Sequence, residues 1–198
     1  MRRVHDRPEI HGGAEPDERE LLLRAQAGER VAYEELVRLH YARALATATH
    51  LLGNREDAED LAQEAFVRAH RGLASFRHAG SFAGWLRRIL VHLARDRFRR
   101  REREPRRASL AAAEGLSAGR DPGAQARGQE LVLRVGEAVR SLPENLRLAL
   151  VLRTFDGLAY AEVAEALGVT PATARTLVMK ARRTVAARLE PYLRGGES

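Results

Sequence analysis

Two groups of residues in this chain of 198 have types and spacings suited to gripping a polyanion. The first lies in LAYAEVAEALGVTPATARTLVMKARRTVAARL, residues 158–189. There Ala174, Leu177, Val178, Ala181 and Val185 recur at steps of three and four, one stripe of a helix, while Thr173, Arg175, Thr176, Met179, Lys180, Arg182 and Arg183 project the other way. Arginine can bond a guanine edge in bidentate fashion, and threonine can bond a base or touch a thymine methyl. The second group lies in FRHAGSFAGWLRRILVHLARDRFRRRERE, where Phe76, Phe82 and Trp85 stand beside Arg87, Arg88, Arg95, Arg97 and Arg99. Aromatic faces interleaved with cations suit unstacked bases and their phosphates. Both groups have a plainer reading, in which the arginines solvate a surface and the aromatics fill a core. For Phe82 the core reading is preferred; Phe76, in a short loop with Gly80, is read as functional.

Other chemistry is harder to assemble. None of the seven histidines sits at i and i+4 with a glutamate between, and no glycine-rich phosphate loop is present. No cysteine occurs, which removes disulfides, thiolate metal sites and a cysteine nucleophile. The acidic run Glu56, Asp57, Glu59, Asp60 and Glu64 could hold a divalent cation, but spread over several helical turns it reads better as a solvated face that meets a basic protein surface. No catalytic residue, metal site or cofactor is assigned.

The elements that must carry these groups are all helical, since period-two alternation never persists. Residues 1–16 mix charge, Gly and Pro without periodicity and read as a disordered lead. Residues 17–104 form one helical domain: a helix capped by Asp17 and ended near Gly28, and a longer one to Leu52 with Tyr33, Leu36, Val37, Leu39 or His40, Ala44, Ala48 and Leu51 inward. A third starts at Asn54 and buries Ala58, Leu61, Ala62, Ala65 and Phe66, and a fourth, capped by Ser81, buries Phe82, Leu86, Ile89, Leu90 and Leu93. Residues 105–128 read as a flexible linker, with 110–116 able to turn helical. Residues 129–191 form a second domain. Its first helix is amphipathic through Leu131, Val132, Val135 and Val139, and its second starts at Pro143 and buries Leu146, Ala149, Leu150 and Leu152. Two helices follow around the turn Leu167-Gly168-Val169, with Thr170 as cap and Pro171 at the first helical position. Residues 192–198 are a tail. The predicted fold class is therefore all-α, two small helical domains joined by a flexible linker, the second ending in a helix-turn-helix whose last helix fits the major groove of B-DNA.

Composition agrees with that reading. A formal net charge of +7, mostly from arginine, points to a polyanionic partner. No apolar run can serve as a signal peptide or approaches the roughly 20 residues of a membrane span, so a soluble, cytoplasmic protein without membrane insertion is expected.

Several stretches taken in order, LLGNREDAEDLAQEAFVRAHRGLASF, SFAGWLRRI, ARDRFRRR and LPENLRLALVLRTFDGLAYAEVAEALGVTPATARTLVMKARR, resemble the extracytoplasmic-function (ECF) sigma factors of the bacterial sigma-70 family. The similarity spans about residues 21–103, the family's region 2, and 129–189, its region 4. It implies a non-enzymatic promoter-specificity subunit whose partners are core RNA polymerase, promoter DNA and an anti-sigma factor that the sequence does not identify. It implies that Asp57, Asp60, Gln63, Glu64 and Phe66 bind core polymerase. Phe76, Trp85, Arg88, His92, Arg95, Arg97 and Arg99 would recognise and open the −10 element, with a flipped base near Phe76. Tyr160, Thr170, Thr173, Arg175, Thr176, Met179, Lys180, Arg182 and Arg183 would bind the −35 element. His92 stands where the family often has asparagine, and Leu177 where arginine is common. The competing readings are a stand-alone helix-turn-helix regulator that binds duplex DNA as a dimer, and a helical metal-dependent hydrolase using the acidic run.

Overall fold

The computed structural model of the chain describes residues 17–77, 81–103 and 122–194. The lead expected over 1–16 and most of the linker, including 110–116, lie outside these residues. Among them the chain forms eight α-helices and one 3-10 turn and no strand. The helices are α1 (Glu18–Gln26), α2 (Arg30–Leu52), α3 (Arg55–Gly72), α4 (Phe82–Arg103), α5 (Pro122–Arg140), α6 (Glu144–Thr154), α7 (Tyr160–Leu167) and α8 (Pro171–Arg194).

The first four build one lobe, and local chemistry sets their ends. Asp17 accepts from the Arg19 N–H, and Asn54 accepts from the Asp57 N–H at 2.7 Å, each satisfying a donor that a helix start leaves free. Gly53 closes α2 at φ 78°, a left-handed turn that glycine makes without strain. Between these ends, alanines and leucines let the helices approach closely: Leu36, Leu51, Leu61 and Leu93 are fully buried, with Ala48, Ala58, Ala62 and Ala65 between them. Each such leucine contributes about 1.5–3 kcal/mol of burial. Phe82 is fully buried, as its core reading expects. Val91, Ala94 and Phe98 are buried as well, so α4 presents a wider apolar face than its sequence stripe suggested.

At the alternative Leu39 or His40, the structure takes His40. Leu39 is 40% exposed, whereas His40 tucks its ring against Phe82 at 5.3 Å. Burial holds the His40 imidazole below its ordinary value of 6.5, against the pull of Glu18, and burial does the same to His50. A group depressed in the fold contributes stability above its unfolded value and loses it as pH falls through the folded one. Urea midpoints are therefore expected to drop from about pH 7.5 to about pH 5.5, and His50→Asn should flatten part of that slope. A wild-type midpoint that is constant or rises on acidification would contradict the assignment.

Helices α5 to α8 build the second lobe around Leu148, Val151, Leu152, Val163 and Val178. Three features differ from the sequence reading. Helix α5 begins at Pro122, within the expected linker, because proline suits the first helical position and an alanine-bearing stretch follows. Its expected inward residues Leu131 and Val132 are 42% and 45% exposed, since only its C-terminal end, with Ala138 and Val139, reaches the core. And α8 runs on through Pro191 to Arg194, where the Arg134 guanidinium of α5 lies over the Tyr192 ring at 4.7 Å.

The lobes are packed together. Thr47 of α2, 3% exposed, donates its hydroxyl to the Asp156 carboxylate at 2.8 Å, and Arg43 donates to the Asp156 carbonyl at 2.7 Å. His50 stacks on Phe155 with ring centroids 4.0 Å apart. The Arg147 guanidinium reaches back to the Leu51 carbonyl and lies over Phe98, and the Arg140 side chain passes so close above Gly53 that a β-carbon there would collide with it.

Candidate nucleic-acid interface

The helix-turn-helix forms as its residue types require. Glu162 accepts from the Ala159 N–H at 2.8 Å, starting α7, and Gly168 ends it at φ 68°. Thr170 accepts from the Thr173 N–H at 3.2 Å and pairs hydroxyls with Thr173 at 2.9 Å. Both threonines thus hold the start of α8, with Thr170 acting first as a cap. Inward, Ala174, Val178 and Ala181 are fully buried, and Leu177 packs partly buried against the core, widening the stripe.

Outward, Thr173, Arg175, Thr176, Met179, Lys180, Arg182 and Arg183 are all exposed, Met179 at 61%. Thr176 donates to the Ala172 carbonyl at 3.0 Å, one turn back on its own helix. Arg175 is not left to wander. Its guanidinium lies over the Tyr160 ring at 5.3 Å, and Arg153, anchored by donation to the Leu158 carbonyl at 2.7 Å, lies at 4.9 Å from the same ring. Tyr160, half-buried at the start of α7, is therefore a shelf for the arginine best suited to read a guanine edge.

The second group sits on α4. Trp85, Arg88, His92, Arg95 and Arg99 follow one another at steps of three and four and share one side of the helix. His92 and Arg99 are exposed; Trp85, Arg88 and Arg95 are half-buried. Arg88 pairs with Glu165 of α7 at 2.7 Å, and Arg95 donates to the Leu167 carbonyl at 3.1 Å and lies 3.4 Å from Glu144. Arg97 points to the other side, donating to the Asp57 carbonyl at 2.8 Å, so the structure joins it to α3 and separates it from the row. Phe76 departs from its expected exposure: it is 8% exposed and lies against Trp85 at 4.7 Å. A loop residue carries no periodicity, so nothing in the sequence signalled that this ring turns inward.

On α3, Asp60 and Gln63 are exposed and Glu64 is half-buried, bonded to Arg68 at 2.7 Å and 3.7 Å from Arg97. Asp57 is engaged with Asn54 at the helix start. Phe66 turns inward at 5% exposure, its ring beside Tyr41, and holds α3 against α2. Among the described residues no group of carboxylates and histidines could hold a metal ion, and no helix is long and apolar enough to cross a membrane.

Sequence reasoning missed Arg43, Thr47, His50, Asp156 and Glu165, which join the lobes. Asp156 was legible only as half of an Asp-Gly turn. Burial pushes its carboxyl above the ordinary range, while the Thr47 hydroxyl and the Arg87 and Arg43 guanidiniums pull it back.

Two family models match the chain in order. Sigma-70 region 2 matches residues 36–104, and Sigma-70 region 4 matches residues 133–185. The RNA polymerase sigma-H factor of Pseudomonas aeruginosa is 32% identical over 185 residues, covering 89% of this chain and 96% of its own length. The ECF RNA polymerase sigma factor SigM of Mycobacterium tuberculosis is 35% identical, covering 93% of this chain and 90% of its own. The chain belongs to the ECF sigma factors of the sigma-70 family.

The fold neighbours agree. CnrH, solved in complex with the cytosolic domain of CnrY, superposes with a TM-score of 0.64 at 28% identity, covering 88% of this chain and 97% of that one. The sigma factor RpoE of Bartonella quintana, solved with the anti-sigma factor NepR, superposes with a TM-score of 0.65 at 22% identity, covering 80% and 96%, and is like this chain in fold. An ECF sigma factor is a non-enzymatic initiation factor, which sets aside the hydrolase reading of the acidic run. The presence of both regions in order sets aside the stand-alone regulator. This sigma factor directs promoter-specific initiation with core RNA polymerase.

Proposed function

We propose that the sigma factor divides its promoter contacts between the two lobes as follows. The outer face of α8 reads the −35 element, Arg175 through a base edge from its shelf on Tyr160, Thr173, Thr176, Met179 and Lys180 beside it, and Arg182 and Arg183 through phosphates. Thr170 serves it by capping the helix. The row Trp85, Arg88, His92, Arg95 and Arg99 on α4 takes the opened strand of the −10 element. Phe76 supports Trp85 from behind, and Arg97 keeps α3 and α4 aligned. Asp57, Asp60, Gln63 and Glu64 on α3 face core polymerase. The protein acts in the cytoplasm, where its polymerase and DNA are.

The observation that carries this reading is the pairing of a fully exposed, basic, hydrogen-bonding face on α8 with a separate aromatic-cationic row on α4. Duplex readout needs the first. A strand separated without nucleotide hydrolysis needs the second, since unstacking costs about 1–2 kcal/mol per base-pair step and must be offset by capture of bases and phosphates. A restraining protein partner, an anti-sigma factor, is also proposed; its support is that a neighbour of like fold, CnrH, was solved in complex with the cytosolic domain of CnrY.

The test is transcription in vitro with purified core enzyme and a library of promoters randomised at both elements. Selection of an asymmetric two-part sequence is the expected outcome. Selection of a palindrome, or binding of such a site without core, would overturn the proposal.

A further inference from the structure

Trp85 heads the α4 row, and its ring is seated between Gly72, Phe76 and Phe82. A β-carbon at Gly72 would stand 3.1 Å from the ring, so the indole rests on bare backbone there; Phe76 lies at 4.7 Å and Phe82 at 5.9 Å. Phe82 is fixed in the core of the lobe. Gly72 and Phe76 instead bracket the 3-10 turn Leu73–Ser75 that follows α3, where carbonyls run out of helical partners.

The turn is tied down by another helix. Gln26, half-buried in the last turn of α1, donates its side-chain amide to the Leu73 carbonyl at 3.0 Å and to the Phe76 carbonyl at 2.7 Å. A primary amide has two N–H donors, and each of these carbonyls takes one. Asparagine has the same pair one methylene shorter, and no other neutral side chain has it. Helix α1 lies before residue 36, where the match to Sigma-70 region 2 begins, so that match gives Gln26 no role.

We infer that Gln26 is a positioning residue for capture of the −10 strand: through the Leu73 and Phe76 carbonyls it fixes the seat of Trp85 before the strand arrives. The inference rests on the assignment of the α4 row to the opened strand. Unstacked bases must be caught as the duplex opens, and a ring already held in place loses little further side-chain freedom on catching them. Helix α1 thereby serves the strand at a distance, through two carbonyls and a contact between rings.

Three substitutions in the full chain separate donation from space-filling. Gln26→Met keeps the length and bulk and removes both donors. Gln26→Glu keeps the shape and turns a carboxylate toward two carbonyls, and Gln26→Lys changes the shape but restores donors. Trp85 is the one tryptophan of the chain, so acrylamide quenching of its fluorescence reads its seat directly in the free protein. Opening is followed with core enzyme on the promoter duplex selected by the wild type, carrying 2-aminopurine in the −10 element. Quenching should rise in Gln26→Met and rise further in Gln26→Glu. Opening by Gln26→Met should slow about tenfold, the effect of losing two hydrogen bonds from the competent arrangement, while the closed complex forms as before. Gln26→Lys should recover most of both losses. If Gln26 only filled space the order would invert, with Gln26→Met passing and Gln26→Lys failing. That inverted order, or a Gln26→Met variant that matches the wild type in either quenching or opening, would overturn the proposal. Both substitutions occupy the site, so their comparison stands even where each lowers the urea midpoint. Trp85→Ala on the same promoter separates this from the assignment of the row. Normal opening by Trp85→Ala would defeat that assignment and this proposal with it, whereas slow opening by Trp85→Ala beside normal opening by Gln26→Met would defeat this proposal alone.

Discussion

Phe82→Ala is expected to destabilise the first lobe by about 3–5 kcal/mol, the cost of a large cavity in a core that relaxes only partly. Phe82 is fully buried at the start of α4, edge-on to Trp85 at 5.9 Å and against the half-buried His40 at 5.3 Å. Urea unfolding should show a lower midpoint with an unchanged slope. Leu39→Ala is the control: equally apolar by sequence but 40% exposed, it should change stability by less than about 0.5 kcal/mol. The loss at Phe82 should extend to function, because that ring backs Trp85 in the row proposed to take the −10 strand. A change under about 1 kcal/mol would mean that Phe82 is not the core residue described.

Arg175→Ala carries the largest effect expected on promoter choice. A bidentate base contact is worth about 1–3 kcal/mol, so affinity for the preferred −35 sequence should fall about 5–150-fold, and preference at one position should relax. Arg183→Ala, by contrast, should weaken binding about evenly across sequences and lower the salt dependence, as loss of a phosphate contact does. The shelf under Arg175 makes a graded prediction. Tyr160→Phe keeps the ring and should keep the sequence preference, while Tyr160→Leu should relax it at the same position as Arg175→Ala, by about 0.5–1 kcal/mol. A binding selection in which Arg175→Ala leaves every position unchanged would contradict the readout assigned to it.

Helix ends and buried faces were legible because they repeat local rules. Asp17, Asn54, Ser81 and Thr170 are caps, Gly53 and Gly168 are left-handed stops, and the alanine-leucine stripes of α3 and α8 run at helical period. What stayed hidden depends on the partner opposite. The apolar pattern of α5 is real, but the second lobe covers only its end, which leaves Leu131 and Val132 outside. Phe76 read as a contact residue because aromatic character alone does not say which way a loop ring faces, whereas Phe66 read as buried from its helical spacing and was given a contact only by the resemblance. The join between the lobes was least legible of all. Several of its bonds run from Arg43, Arg95 and Arg147 to backbone carbonyls of distant residues, and a carbonyl leaves no trace in a sequence.

The claim on which all this rests is that α3 brings both DNA-binding faces to core RNA polymerase. The most direct measurement is the equilibrium binding of labelled full-length protein to purified core enzyme, beside Asp60→Arg, which reverses an exposed charge on α3 without touching the hydrophobic core. Saturable binding by the wild type, weakened at least tenfold by Asp60→Arg while the urea midpoint is unchanged, is the predicted result, in keeping with the cost of a like-charge contact at an interface. A wild type that does not bind core, or a variant that binds it equally well, would contradict the account.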